Sequence, residues 1–447
     1  MRESKGILLP FLALCFLFTI LSCSSKESVS KTSPKKSLNV WHWMTDRDET
    51  FVALAKKYES QAGIKVNIEL YAPSEAYSQK VRAAAQGDNL PDMFGVLGEK
   101  RDFASFVKAG HICDLTPYME ANNLEWKKRF FPKALAVNEF NEGNSYKVKP
   151  GIYGAPIDVM TIQMLYNKDL FTELGLDANK PPQTWEEFIN IGKKISAAGG
   201  SASGGKVKMQ GLVSGWGEVW MIDCFANGLA FNIMGKDKVL ATIKGEVPYT
   251  DPDWVRVFTL FKEMQDAGLL YNGVVSMINK TAEQLFANGK AVFAFNGSWC
   301  VNVYKGMNPD LKYAAFLPPK VSDKYPQSIW GGAGSSLMIN AKSKNKEEAI
   351  AFLKWLTDKE QQAYLAQETR NLPANKESLT KISPVLAQFS GAMDYSTHPS
   401  VWGVSEFSPV IEAFDKGIQS IIIGEKTPKQ VAAEVQTVKE RELAKKR

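Results

Sequence analysis

Apolar positions along this chain recur at two spacings that take turns. Residues 38–43, Leu-Asn-Val-Trp-His-Trp, form a short dense apolar run of the kind that makes a buried strand. Over 48–60 the apolar residues Phe51, Val52, Leu54, Ala55 and Tyr58 fall on one helical stripe, and Gly63 marks its end. Residues 64–70 then alternate apolar and polar, as a half-buried strand does. The alternation repeats with a helix over 77–85, a turn over 87–91 and a strand over 92–96. Further on, Pro181-Pro182 leads into Thr184-Trp-Glu-Glu187, the spacing of a capping box in which Thr184 and Glu187 satisfy orphan amides reciprocally. Asn345-Lys-Glu-Glu348 predicts a similar start for a helix with the apolar face Ala349, Phe352, Leu353 and Leu356. Strands alternating with helices predict an α/β architecture, parallel sheets with helices on both faces. Loops rich in Gly, Pro or Ser fall at 147–156, 197–205 and 317–328, and no fixed period repeats.

The first residues follow another pattern. Arg2 and Lys5 precede an apolar stretch over 7–21 that only Pro10 and Thr19 interrupt. It is shorter than the roughly 20 residues a spanning helix needs. A charged start followed by a short apolar run predicts a secretory signal. Ile20-Leu-Ser-Cys23 resembles a bacterial lipobox, which implies that residues 1–22 are removed and that Cys23 carries lipid; a chance Cys after an ordinary signal is the alternative. Residues 23–37 hold one large apolar side chain, too few to offset ordering entropy, and predict a flexible tether spanning about 20 Å. The expectation is an extracytoplasmic protein, periplasmic or at the cell surface, anchored to the membrane through Cys23.

Composition narrows the classes. The 447 residues are 45% hydrophobic and 23% charged, which predicts a globular chain of two or three domains. The net charge of +6 is spread thinly, so nucleic acid is not an expected partner. His42, His111 and His398 are scattered, and neither metal nor other cofactor is expected. After cleavage Cys113, Cys224 and Cys300 cannot all pair, and each reads as an inert buried thiol. No GxSxG, HExxH or GxxxxGK[ST] run is present, so the chain lacks the minimum parts of those hydrolases and NTPases.

Several segments resemble one family. They run in order from Val40-Trp-His-Trp43, Gly63 to Ile68, Leu90-Pro-Asp-Met-Phe94 and Asp114-Leu-Thr-Pro-Tyr118 to Tyr153-Gly-Ala-Pro156 and Leu165 to Phe171. Pro182 to Glu187, Leu285 to Ala291, Asn296-Gly-Ser-Trp299, Trp330-Gly-Gly332, Ser343 to Ala349, Phe352-Leu-Lys-Trp355, Asp358-Lys-Glu-Gln361 and Leu372-Pro-Ala374 follow. The chain over 38–440 thus resembles a family 1 extracellular solute-binding protein, the sugar-binding component of a bacterial ABC importer. The resemblance implies a two-lobed periplasmic-binding-protein fold, type II-like, with a ligand cleft between hinged lobes. It implies a first lobe of 38–154 and 314–355 and a second of 155–313 and 356–447. Crossings are then expected after Tyr153-Gly-Ala-Pro156, near 312–317 and near 355–358. Its partners would be a carbohydrate and the permease subunits, with the protein itself a monomer and not an enzyme.

In open α/β sheets, ligands bind outside the carboxyl ends of strands. That rule, independent of any resemblance, selects Trp43, Asp46, Glu99, Asp158, Trp216, Glu218, Trp220, Asn296, Trp299, Trp330 and Gly331. Trp126, Trp185, Trp254 and Trp355 lie within helical patterns, where packing explains them, whereas Trp402 joins the set from a loop. Indole faces stack on the C–H face of a pyranose, and Asp, Glu and Asn bind its hydroxyls. The group reads as a carbohydrate site. Two other readings compete. A glycerol-phosphate-type ligand would need crevice cations, for which Arg47, Lys100 and Arg370 are the candidates; a secreted glycoside hydrolase would need a carboxylate pair such as Asp46 and Asp158.

Overall fold

The computed structural model describes residues 36–72, 74–97, 100–144, 146–198, 209–397 and 406–445. The signal segment, Cys23, Glu99 and Trp402 lie outside these residues. Lys36–Arg447 forms one compact unit. Its first sheet runs in the order β2-β1-β3-β12-β6, from β1 (Ser37–His42), β2 (Lys65–Leu70), β3 (Met93–Phe94), β6 (Ala155–Pro156) and β12 (Ser336–Ile339). Between β3 and β6, β4 (Glu139–Phe140) and β5 (Gly151–Ile152) pair as a separate antiparallel ribbon. The second sheet has the path β10-β7-β9-β8, from β7 (Asp158–Asn167), β8 (Gln210–Val213), β9 (Ala291–Gly297) and β10 (Tyr313–Phe316). Two short strands, β11 (Gly331–Ala333) and β13 (Leu372–Pro373), add to the start of β7.

The expected parallel pairing holds for β2-β1-β3 and for β8 with β9. Elsewhere the ladders are antiparallel, because strands that enter a sheet from the other lobe arrive reversed. Local signals act as expected in two places. Helix Asp48–Ala62 buries Phe51, Leu54, Ala55 and Tyr58 and ends on left-handed Gly63, φ 70°, whose N–H donates to Glu59 O. Thr184 caps helix Trp185–Ala197 in a full capping box with Glu187. At Asn345 the expectation fails: its amide donates to Ser37 O at 3.2 Å and Asp92 Oδ1 at 3.4 Å instead of capping the helix.

Two crossings also differ from expectation. Tyr313–Phe316 pairs antiparallel with β7, so it belongs to the second sheet and the chain returns only at 331–336, between β11 and β12. The next helix but one, Lys359–Thr369, still packs on helix Asp48–Ala62 of the first lobe. The third crossing therefore starts at β13, later than 355–358, and residues 375–381 still pack on helix Lys359–Thr369. Beyond it, helix Pro384–Gly391 packs on β7 and β10.

The second lobe carries a thick helical layer. Helix Trp220–Lys244, interrupted at Gly235, packs with helices Pro252–Asp266 and Ser408–Ile422, and helix Pro428–Ala444 packs on both of these. Buried between them, Lys439 pairs with Glu406 at 2.6 Å, and Glu406 also accepts from Tyr249 Oη at 2.8 Å. Among the described residues no helix is long and apolar enough to cross a membrane.

Candidate functional site

The turn after β1 carries Asp46 and Arg47 over the place where the chain changes lobes. Arg47 Nη1 donates to Asp158 Oδ2, on the first crossing, and to Ser335 Oγ at 3.3 Å, on the second. Asp46 Oδ2 accepts from Arg47 Nε at 3.3 Å and from Asn371 Nδ2 at 3.1 Å, beside the third. One two-residue turn thus touches all three crossings. The Asp158 carboxylate is buried and spent, because Ser335 N donates to its other oxygen. The expectation that Asp158 binds a ligand hydroxyl gives way to a structural role.

Strand register brings two tryptophans to the same stretch of β7. Gly331 pairs with Thr161, and Ile162 N donates to Trp330 O at 2.9 Å. On the opposite flank Ser298 N donates to Thr161 O at 3.0 Å, which places Trp299 next in line. A side chain at Gly297 would occupy the space of the Trp299 ring, so glycine is required there. The Trp299 side chain hydrogen-bonds Glu283, which also accepts from Asn279 Nδ2 at 3.0 Å and Asn296 Nδ2 at 3.1 Å. Burial pushes the Glu283 carboxyl up, these three bonds pull it down, and Glu218 raises it further. Trp220 lies with its ring centroid 6.1 Å from that of Trp299 at an interplanar angle of 46°, and is 39% exposed. Glu218 accepts from Asn279 N at 2.8 Å and so helps start helix Asn279–Ala287. On the first lobe Trp43 is half-buried, packed 5.1 Å from Tyr77, and leaves no room for a side chain at Gly95.

Three expected site residues are structural. Trp216 is fully buried between Phe225 and Phe261, at 5.8 and 5.7 Å, because helix Trp220–Lys244 starts just after it and folds over the ring. Asn296 is buried, with its amide on Glu283 and its oxygen accepting from Gly297 N at 2.8 Å. Gly331 serves close packing: a side chain there would meet Met160 O and Thr161. Glu99 and Trp402 lie outside the described residues. Ser335 and Asn371, which complete the cluster around Arg47, carry no signal in the sequence beyond nearness to a glycine run or a strand.

The cations near the cleft are engaged. Lys100 donates to Val137 O and to Glu139 O (2.8 Å) and lies 4.1 Å from the Phe140 ring; burial pulls its ammonium down to about 7, against the opposing effect of Glu139. Arg370 donates to Asn302 Oδ1 at 3.2 Å. Among the described residues no group of three or more His, Cys, Asp or Glu is arranged to hold a metal.

The sequence profile described as bacterial extracellular solute-binding protein matches residues 53–388. The chain belongs to this family. Among its relatives are a multiple sugar-binding protein of Streptococcus mutans, 25% identical over 76% of this chain and 75% of that one, and an sn-glycerol-3-phosphate-binding periplasmic protein of Brucella melitensis, 25% identical over 77% and 76%. A solved structure of a chitin oligosaccharide binding protein superposes with a TM-score of 0.71 at 24% identity, covering 90% of this chain and 98% of that chain. That likeness establishes the two-lobed α/β fold of an extracellular solute-binding protein. The family consists of binding proteins, not enzymes.

Proposed function

We propose that this extracellular solute-binding protein captures a neutral sugar or oligosaccharide between its lobes and delivers it to the permease of an ABC importer. The observation that carries the reading is the Trp220–Trp299 pair, two indoles at the ends of second-lobe elements with Trp330 on the other flank of β7. Trp43 and Asp46 would contribute from the first lobe. The glycerol-phosphate alternative has a relative in its favour, but its candidate cations already have partners: Arg47 in Asp46 and Asp158, Lys100 in backbone carbonyls and Arg370 in Asn302 Oδ1. A dianion needs such donors. A thermal-shift panel of mono-, di- and trisaccharides beside sn-glycerol 3-phosphate tests the reading. Stabilisation by at least one saccharide and none by the phosphate is expected; the reverse overturns it.

The finer claims belong to the same proposal. The chain acts without catalysis, as a monomer, and saccharide recovered from the complex is intact. Closure on ligand lowers the radius of gyration in small-angle scattering, and an unchanged value at saturation would require a preformed site. Cys23 carries the lipid anchor, so Cys23→Ala releases the protein from membranes; a retained mutant with ordinary processing would refute anchoring through this residue.

A further inference from the structure

A second cavity, of about 790 Å³, is lined by Lys133 of the first lobe together with Phe231, Tyr325 and Tyr395. Phe231 in its wall stands eleven positions beyond Trp220, about 16 Å along the same helix at 1.5 Å per residue, so the cavity is separate from the Trp220–Trp299 pair. Ligand pockets span roughly 300–1,000 Å³. The volume suits a di- or trisaccharide.

Its walls are built on anchored backbone. Helix Trp220–Lys244 breaks at Gly235, φ 75°, where a side chain would strike the Tyr325 ring. Buried Asn232, one turn earlier, donates to Ser322 O (2.9 Å) and Tyr325 O (2.7 Å) and accepts from Val321 N (2.7 Å) and Ser322 N (3.0 Å). Those four bonds fix the segment that presents Tyr325. The facing wall is tied to the strand leading into β11: Ile329 N donates to Tyr395 O at 3.1 Å and Thr397 N to Ile329 O at 3.0 Å. Lys133, from the first lobe, donates to Asp394 O and to Ser396 O (2.7 Å) and closes that end.

Both tyrosine rings nevertheless face solvent. Tyr325 is 42% and Tyr395 41% exposed, and they are two of only four aromatic side chains so exposed among the described residues. Held backbone with open aromatic faces is a preorganised stacking surface. Open aromatic side chains beside uncharged hydrogen-bonding groups select the ligand class. The lining carries Lys133 and Lys236 beside Asp394, and the Lys133 ammonium is already held by the Asp394 and Ser396 carbonyls. Gln327, whose Nε2 donates to Pro318 O at 2.8 Å, lines the cavity with Ser328 and Thr397 and supplies uncharged polar groups.

We propose that this cavity is a second carbohydrate site, one that takes a neutral di- or trisaccharide between Tyr325 and Tyr395. It rests on the carbohydrate reading of the cleft only for the class of ligand. Isothermal titration and native mass spectrometry of the intact chain with maltotriose, raffinose and chitotriose test it. The wild type should bind two equivalents of at least one probe. Tyr325→Ala and Tyr395→Ala should each weaken the second equivalent about tenfold or more, the scale of one lost stacking surface, and leave the first unchanged. Tyr325→Phe, which keeps the ring, should retain both and shows that the loop still folds. Trp299→Ala should instead weaken the other equivalent by a comparable factor. A single equivalent in the wild type that only Trp299→Ala weakens, or two that survive both Tyr→Ala variants, overturns the second site and leaves the cleft reading standing. Binding lost in the tyrosine variants and untouched by Trp299→Ala does the opposite. No binding of any probe at millimolar concentration overturns both.

Discussion

Arg47 and Asp158, 111 positions apart in sequence, form an ion pair that joins the turn after the first strand to the strand that leaves the first lobe. Both side chains are largely buried, at 11% and 4% exposure. Removing one partner of a buried pair strands the other charge, at a cost of about 3–5 kcal/mol. Asp158→Ala is therefore expected to lower urea stability by that order, and Arg47→Met/Asp158→Ala by less than the sum of the single changes. A strictly additive cycle would show that the pair is not coupled.

Two tryptophans four positions apart should respond in opposite ways. Trp220→Ala removes an exposed ring and should leave the melting temperature nearly unchanged while weakening saccharide binding by about 1–3 kcal/mol. Trp299→Ala should weaken binding similarly. Trp216→Ala empties a core position and should destabilise by about 3–5 kcal/mol. Calorimetric melts beside titrations separate the cases; a stable Trp216→Ala that fails to bind would return Trp216 to the cleft.

A buried carboxyl pair makes stability depend on pH. Asp223 and Asp415 lie in facing helices with Cys224 beside them, and no hydrogen-bond partner meets either oxygen of Asp415. Burial pushes both carboxyls up, and the Asp223 charge adds to the rise at Asp415, while the bond with Cys224 opposes it at Asp223. A raised folded-state value means that the native pair holds protons the unfolded chain has released. The contribution is fully present below the ordinary carboxylate range and is lost as pH rises through the raised values. Asp415→Asn should therefore raise the melting temperature more at pH 8 than at pH 5. Equal shifts at both would contradict the assignment.

The pair of Lys439 with Glu406 should behave as a latch for the last helix. Lys439→Ala leaves the Glu406 carboxylate buried without its ammonium partner, beside the Tyr249 hydroxyl and the Phe407 amide, and should cost about 3–5 kcal/mol in chemical denaturation. Lys439→Ala together with Glu406→Gln should recover part of that loss; no recovery would place the cost in packing alone.

What could be read beforehand was local. The stripe from Phe51 to Tyr58 and the Thr184 capping box involve residues within a turn or two of one another, so spacing suffices. Asn345 carries the same local signal and still misses, because Ser37 and Asp92 offer its amide partners from far along the chain. Lobe membership at Tyr313–Phe316 is likewise decided by pairing with Met164–Asn167, which alternation within the strand cannot show. In the site, Trp216 and Trp220 share one loop and one composition. Which ring faces the core depends on where the following helix starts, a register no spacing rule supplies. Asp46, Arg47 and Asp158 stood out singly for the same local reasons, but their pairing with one another and with Ser335 and Asn371 appears only where three distant crossings meet.

The order in which the strands and helices join has a consequence for biogenesis. The first sheet needs Ser336–Ile339 between β3 and β6, and the helical layer of the second lobe needs everything through Lys439. A nascent chain emerging amino end first owns no finished core until nearly its whole length is out. Contacts so distant close slowly. The polypeptide therefore stays without a closed core for most of its synthesis, and both lobes mature late and nearly together.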